Sequence, residues 1–214
     1  AERGETIEIV GMGGPEMRKA DIDIRVDSTE LGVVGVIEVL KHIFTFIGIF
    51  FRLVGQAKRE RPGAVVLIDY PGFNLLFALM MYRDRIPVIW YVCPHLWVWG
   101  KWRLPVLAKI CTKMLVIFPF ETEVFAHTKL RTEFVGHPLI DIVADRRIPG
   151  VERNPEDFLL LPGSRTMEIN FLLYPMLDTV TELAKRHPEL KFHLSAPREK
   201  IARLCREKFA AYRR

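Results

Sequence analysis

Apolar residues in this chain fall into short unbroken runs, and most segments between those runs carry helical spacing. Residues 65–68, 88–92, 114–117 and 158–161 are nearly continuous apolar stretches. Residues 7–10, 134–135 and 191–194 complete the predicted strands. Unbroken runs suit strands buried on both faces of a parallel sheet. Helices are expected at 35–60, 73–83, 104–112, 121–126, 169–187 and 198–212. Strand alternating with helix predicts an α/β, doubly wound architecture. Ligands in such sheets bind beyond the carboxyl ends of the strands, so the residues just after each strand carry the chemical interest.

The polar, proline-bearing stretch 141–157, with Pro149 and Pro155, is the best linker candidate. It divides the chain into an N-terminal domain, 1–145, a linker, 146–157, and a second domain, 158–214. The second part holds two predicted strands, too few for a complete sheet.

Composition narrows the partners. Half of the 214 residues are hydrophobic, the net charge is +5 and the mean hydropathy is +0.13. Basic charge with high hydrophobicity points to an anionic membrane surface. The basic residues are dispersed and no recognition motif accompanies them, so nucleic acid is not expected. Three widely spaced cysteines, Cys93, Cys111 and Cys205, form no CxxC pair and suit a reducing, cytoplasmic compartment. No HxxxH or Cys/His cluster suggests a metal. The first residues are charged and polar, unlike a signal peptide.

Five places carry candidate chemistry. Asp69 leaves the strand 65–68 directly and is followed by Tyr70-Pro71-Gly72-Phe73-Asn74. An acid held there by a rigid turn suits a general base, or it caps the next helix. Asn74 has the same choice between helix start and ligand. After 88–92 comes Cys93-Pro94-His95-Leu96-Trp97-Val98-Trp99-Gly100-Lys101-Trp102-Arg103. Its tryptophan rings suit sugar faces, acyl chains or loop packing, and His95 an acid, base or donor. His137 follows Phe134-Val135-Gly136, near the mouth of the sheet or satisfied within its turn. Phe158-Leu159-Leu160-Leu161 stops at Pro162-Gly163-Ser164-Arg165. That turn reads as a cradle of backbone N–H groups with an arginine fork, suited to phosphate, or as an ordinary strand-to-helix turn. Finally, the phenylalanine-rich run 42–51 is too short to span a bilayer. Ile43, Phe44, Ile47, Phe50, Phe51 and Val54 share one broad helical face, suited to the core, a membrane surface, an acyl groove or a partner subunit.

Taken in order, Gly13-Gly14-Pro15-Glu16-Met17, residues 31–40 (LGVVGVIEVL), Ile68-Asp69-Tyr70-Pro71-Gly72-Phe73-Asn74, Pro94-His95-Leu96-Trp97-Val98-Trp99, Phe118-Pro119-Phe120-Glu121, Gly136-His137-Pro138 and Leu161-Pro162-Gly163-Ser164-Arg165 with Glu168 resemble the bacterial lipid-A-disaccharide synthase family over nearly the whole chain. The resemblance implies two Rossmann-like domains of the GT-B class, the second incomplete here. It implies an inverting glycosyltransferase that joins UDP-2,3-diacylglucosamine to 2,3-diacylglucosamine 1-phosphate (lipid X), releasing UDP and needing no cofactor. It places the reaction at the cytoplasmic face of the inner membrane. By the same resemblance Asp69 is the catalytic base, and Gly163, Ser164 and Arg165 hold the donor phosphates. Asn74, His95, Trp97 and His137 line the acceptor side. Ile43, Phe44, Ile47, Phe50 and Phe51 face lipid.

Family members begin with a glycine-rich acidic loop and continue into further nucleotide-contacting segments, neither of which occurs in this sequence. The chain is therefore expected to be the central half of a longer enzyme, weakly active or inactive by itself. Other readings are a different UDP-sugar enzyme of the same fold, such as an epimerase, or a non-catalytic lipid-binding fragment. A homodimer partner is left open.

Overall fold

A computed structural model describes residues 7–27, 43–96, 100–148, 150 and 152–212. The chain forms two compact units, Ala1–Arg146 and Arg147–Arg214. In both, the described strands pair in parallel.

The first unit opens with β1 (Val10–Gly13), α1 (Pro15–Lys19) and β2 (Asp23–Asp27), a two-stranded pair of its own. The strand expected at 7–10 thus sits three residues later and takes in glycines that read as a turn. At Gly13 a side chain would run into Met17 on α1, so the close approach of helix to strand explains that residue.

α2 (Ile43–Glu60) leads into the main sheet, formed by β3 (Val65–Ile68), β4 (Val88–Tyr91), β5 (Lys113–Val116) and β6 (Arg131–Phe134) in the order 3-4-5-6. α3 (Pro71–Arg83) joins β3 to β4, and α4 (Leu104–Ile110) precedes β5. α5 (Glu121–Val124) and α6 (Pro138–Asp145) flank β6.

Successive right-handed crossovers running in one direction place their helices on one face of a sheet. The burial pattern agrees. Leu67, Val88, Trp90, Met114 and Val116 are buried with Phe77, Ala78 and Met81 of α3, Leu107 and Ile110 of α4, and Val54 of α2. Val66 and Ile68, on the opposite face of β3, are 57% and 52% exposed. The expectation of burial on both faces is corrected accordingly, and the same holds for β7 (Asp157–Leu160), where Phe158 and Leu159 are exposed.

α3 is apolar nearly all round because it lies between the sheet and α2. Phe50 of α2 packs edge-on against Phe73 and Phe77, with ring centroids 5.3 and 6.0 Å away. This splits the face of α2 expected to meet lipid. Phe50 and Val54 belong to the core, whereas Phe44, Ile47 and Phe51 remain exposed. The Ile43 side chain lies outside the described residues.

The second unit has β7, α7 (Thr166–Arg186), β8 (Lys191–Leu194) and α8 (Glu199–Tyr212). Its core is small: Ile169, Leu173 and Leu177 of α7 meet Ile201 and Cys205 of α8. The stretch 141–157 read as a linker begins inside α6, a helix whose Leu139, Ile140, Ile142 and Val143 are all exposed. Among the described residues no helix is long and apolar enough to cross a membrane.

Candidate active site

The carboxyl edge of the main sheet collects the first unit's candidates in strand order. Asp69 follows β3, Cys93 and His95 follow β4, Phe118 and Glu121 follow β5, and His137 follows β6. Strands lie about 4.8 Å apart, so β3 and β6 are separated by roughly 14 Å. Asp69 and His137 therefore cannot act on one atom. They suit opposite ends of an extended ligand.

Strained backbone occurs at the β3 and β4 ends, as it does at Asp21, Arg61 and Arg85. Asp69 (φ +47°) and Tyr70 (φ +41°) are both left-handed, and so is Val92 (φ +66°), a β-branched residue that this region disfavours. Such positions cost about 1–3 kcal/mol each and cluster at functional sites. Hydrogen bonds hold them. The Asp69 N–H donates to Tyr91 O at 3.0 Å and the Val92 N–H to Leu115 O at 3.0 Å.

Asn74 completes the turn. Its buried side-chain amide donates to Ile68 O at 3.1 Å and Asp69 O at 2.7 Å. This places Asn74 beneath Asp69 as a brace for the strained turn, not as a group facing a ligand. The Asp69 carboxylate is exposed, and among the described residues no donor or cation meets it. Asn74→Ala is expected to strip both carbonyls of their donor and to destabilise the chain by about 1–3 kcal/mol, read from denaturant unfolding. A loss below 0.5 kcal/mol, on the order of a surface substitution, would show that the turn holds itself.

Cys93 is buried, and its thiol is pushed up to about 12 by burial, with the negative charge of nearby Glu121 adding to the effect. Burial does the same to Cys111, so both stay protonated and unreactive at neutral pH. His95 is exposed, and Trp97 lies outside the described residues. His137 is the N-cap of α6, its Nδ1 accepting from the Leu139 N–H at 3.2 Å. The neutral ring therefore carries its proton on Nε2.

In the second unit the Gly163 turn (φ +114°) is already closed. Glu168 Oε2 accepts from the Ser164 N–H at 2.7 Å and the Arg165 N–H at 3.0 Å. Those bonds hold the Glu168 carboxyl below the usual glutamate range. The cradle expected to present bare amides is occupied from within, as a capping box at the start of α7. The Arg165 guanidinium is 67% exposed and 3.5 Å from Glu168 Oε1. Among the described residues no group of His, Cys, Asp and Glu could hold a metal ion.

A family model described as lipid-A-disaccharide synthetase matches residues 1–213. The chain belongs to this family. Lipid-A-disaccharide synthases of Koribacter versatilis and Geobacter sulfurreducens are 37% and 35% identical to it, over 84% and 88% of its length. The alignments take in 49% and 51% of those two proteins. A relative from Anaeromyxobacter sp. (strain K) is 35% identical over 87% of this chain and 50% of its own length. The chain thus spans about half the length of the curated relatives it matches. The sequence motifs include two glutamates, Glu121 and Glu168, to which no role was given. Glu168 and Glu121 both turn back onto backbone amides at a strand end. A Glu in the first turn of the helix that follows a strand is the signal that would have marked them.

Proposed function

We propose that the protein carrying this sequence transfers a 2,3-diacylglucosamine unit from its UDP derivative to the 6-hydroxyl of lipid X, forming a β-1,6-linked disaccharide. The observation that carries the reading is Asp69, an exposed carboxylate that no donor or cation meets among the described residues, on a braced, strained turn at the carboxyl edge of the sheet, in a chain of this family. Asp69 takes the proton of the acceptor hydroxyl as its oxygen attacks the anomeric carbon from the face opposite UDP. The bond to the UDP oxygen breaks and the electron pair leaves with the diphosphate. One displacement inverts the centre, and no covalent intermediate forms.

On the donor side, the Ser164 hydroxyl and Arg165 guanidinium meet the diphosphate and stabilise the charge it gains. The Ser164 and Arg165 amides join only when Glu168 gives way. On the acceptor side His95, beyond β4, and His137, beyond β6, meet the acceptor together with Trp97, and Asn74 acts through the Asp69 turn. UDP release on mixing the diacylated donor with lipid X tests the reading. Absence of release with both substrates present would overturn it.

The exposed strip of Phe44, Ile47 and Phe51, with Arg52, Lys58 and Arg59 on the same helix, supports docking at the cytoplasmic face of the inner membrane, where the acylated substrates lie. A doubly substituted Phe44→Asp, Phe51→Asp protein is expected to bind anionic lipid vesicles about a hundredfold more weakly or worse, since each phenylalanine contributes roughly 1.5–3 kcal/mol on burial. Equal co-sedimentation of variant and parent would remove α2 as the docking element.

A further inference from the structure

The edge between β5 and β6 holds a charged group that the reaction above does not use. Glu121 is 1% exposed, among the most deeply buried side chains of the described chain. Its Oε2 accepts from the Ile117 N–H at 3.1 Å and the Phe118 N–H at 3.0 Å, both directly beyond β5. Its own N–H returns to Phe118 O at 3.1 Å, closing the turn. No ion pair reaches it among the described residues. Burying a carboxylate without a cation costs several kcal/mol unless charge-assisted hydrogen bonds offset it. A helix of four residues gives little return for that cost.

That turn presents Phe118. Its ring lies parallel to Phe120 at 5.7 Å and against the imidazole of His137 at 5.4 Å, tilted by 58°. The strands beneath are locked in register, with the Val135 N–H donating to Val116 O at 3.0 Å. His137 is thus held on two sides, by the Leu139 amide at Nδ1 and by the Phe118 ring. Only Nε2–H is left to point elsewhere.

We propose that Glu121 is a positioning residue: by clamping the Ile117 and Phe118 amides it keeps the Phe118 ring against His137 and so presents Nε2–H as a fixed donor to an oxygen of the acceptor. The acceptor part of this statement rests on the proposed function. The ring contact does not. His137 in this arrangement donates and does not abstract a proton, because its one basic nitrogen is spent on the helix cap.

The test uses the imidazole ¹⁵N spectrum of His137 at alkaline pH, where the two nitrogens of the neutral ring report the tautomer. Parent protein is expected to show a single Nε2–H form. Glu121→Ala removes the clamp, Glu121→Asp withdraws the carboxylate by one carbon, and Phe118→Leu removes the ring while leaving the clamp. Each is expected to move the two nitrogen shifts towards each other as the second tautomer appears. If Glu121→Ala does not fold, the Asp and Leu variants decide. A His137 spectrum identical to the parent's in the folded variants overturns the proposal. In the acceptor assay, Glu121→Asp is expected to raise KM for lipid X about three- to tenfold with kcat little changed, the loss of one ordinary hydrogen bond. A ring that moves without any change in that KM would leave the positioning intact and take His137 off the acceptor side, so the two failures are told apart.

Discussion

Asp69→Asn is expected to lower kcat for UDP release by about 10²–10⁴-fold, the usual contribution of a general base, with both KM values within a few-fold of the parent's. The substitution is clean for structural reasons. Asparagine tolerates the left-handed backbone at position 69 as readily as aspartate does. The Asn74 brace bonds to the carbonyls of Ile68 and Asp69 and not to the carboxylate, so the turn survives the change. What is lost is only the capacity to take a proton. Initial rates of UDP release at saturating lipid X measure this. An undiminished kcat would remove Asp69 from the base role, and a raised KM with normal kcat would make it an orienting group.

The second large effect is expected at Gly163. Its φ of +114° is open to glycine and costly for any other residue. A methyl group there would sit 2.5 Å from Glu168 Oε2 and 2.7 Å from Glu168 Cβ. Gly163→Ala must therefore either refold the turn or expel the carboxylate from the Ser164 and Arg165 amides. The backbone strain alone costs about 1–3 kcal/mol, and loss of the cap adds to it. Denaturant unfolding of the second unit should show this, with Glu168→Ala as the control that removes the cap alone. Stability equal to the parent's would mean that Glu168 yields its place easily, which would make the cradle more available to a phosphate than its geometry suggests. The pH dependence has a definite sign. A carboxylate held below its ordinary value of 4.5 stabilises the fold above that value. The stabilisation is lost as pH falls through the lower folded value, so the cap opens only in acid.

Three strands of the main sheet were legible because they are dense apolar runs, and Val65-Val66-Leu67-Ile68 reads as a strand whatever surrounds it; the fourth, Arg131-Thr132-Glu133-Phe134, is mostly polar, and the strand expected at 134–135 meets it only at Phe134. The sheet's one-sided burial was not legible, since a continuous run does not say which face the crossover helices take. β2 escaped notice although Asp23-Ile24-Arg25-Val26-Asp27 alternates charged and apolar residues with the period of a half-exposed strand. β1 was displaced because glycine argues locally for a turn, whereas pairing with β2 decides otherwise. The last turn of α6 fell within the stretch read as linker because Pro149, Pro155 and the charges around them outweighed Ile142 and Val143. At the site, the positions of Asp69 and His137 at strand ends were readable from order alone. The identity of what already fills the Gly163 turn was not. Arg165 is an unusual N-cap, and the sequence signature of a capping box begins with Ser or Thr.

The small core of the second unit has a consequence for how the molecule comes apart. Five side chains between α7 and α8, over a two-stranded sheet, give that half little cooperative strength of its own. Amides of α8 should exchange with solvent well before those of β4 and β5, and a protease added under native conditions should nick the second half while the braced Asp69 turn stays whole. The end of the chain proposed to meet the charged leaving group would then be the labile one, and an anionic ligand at Arg165 would be felt first as protection from cleavage.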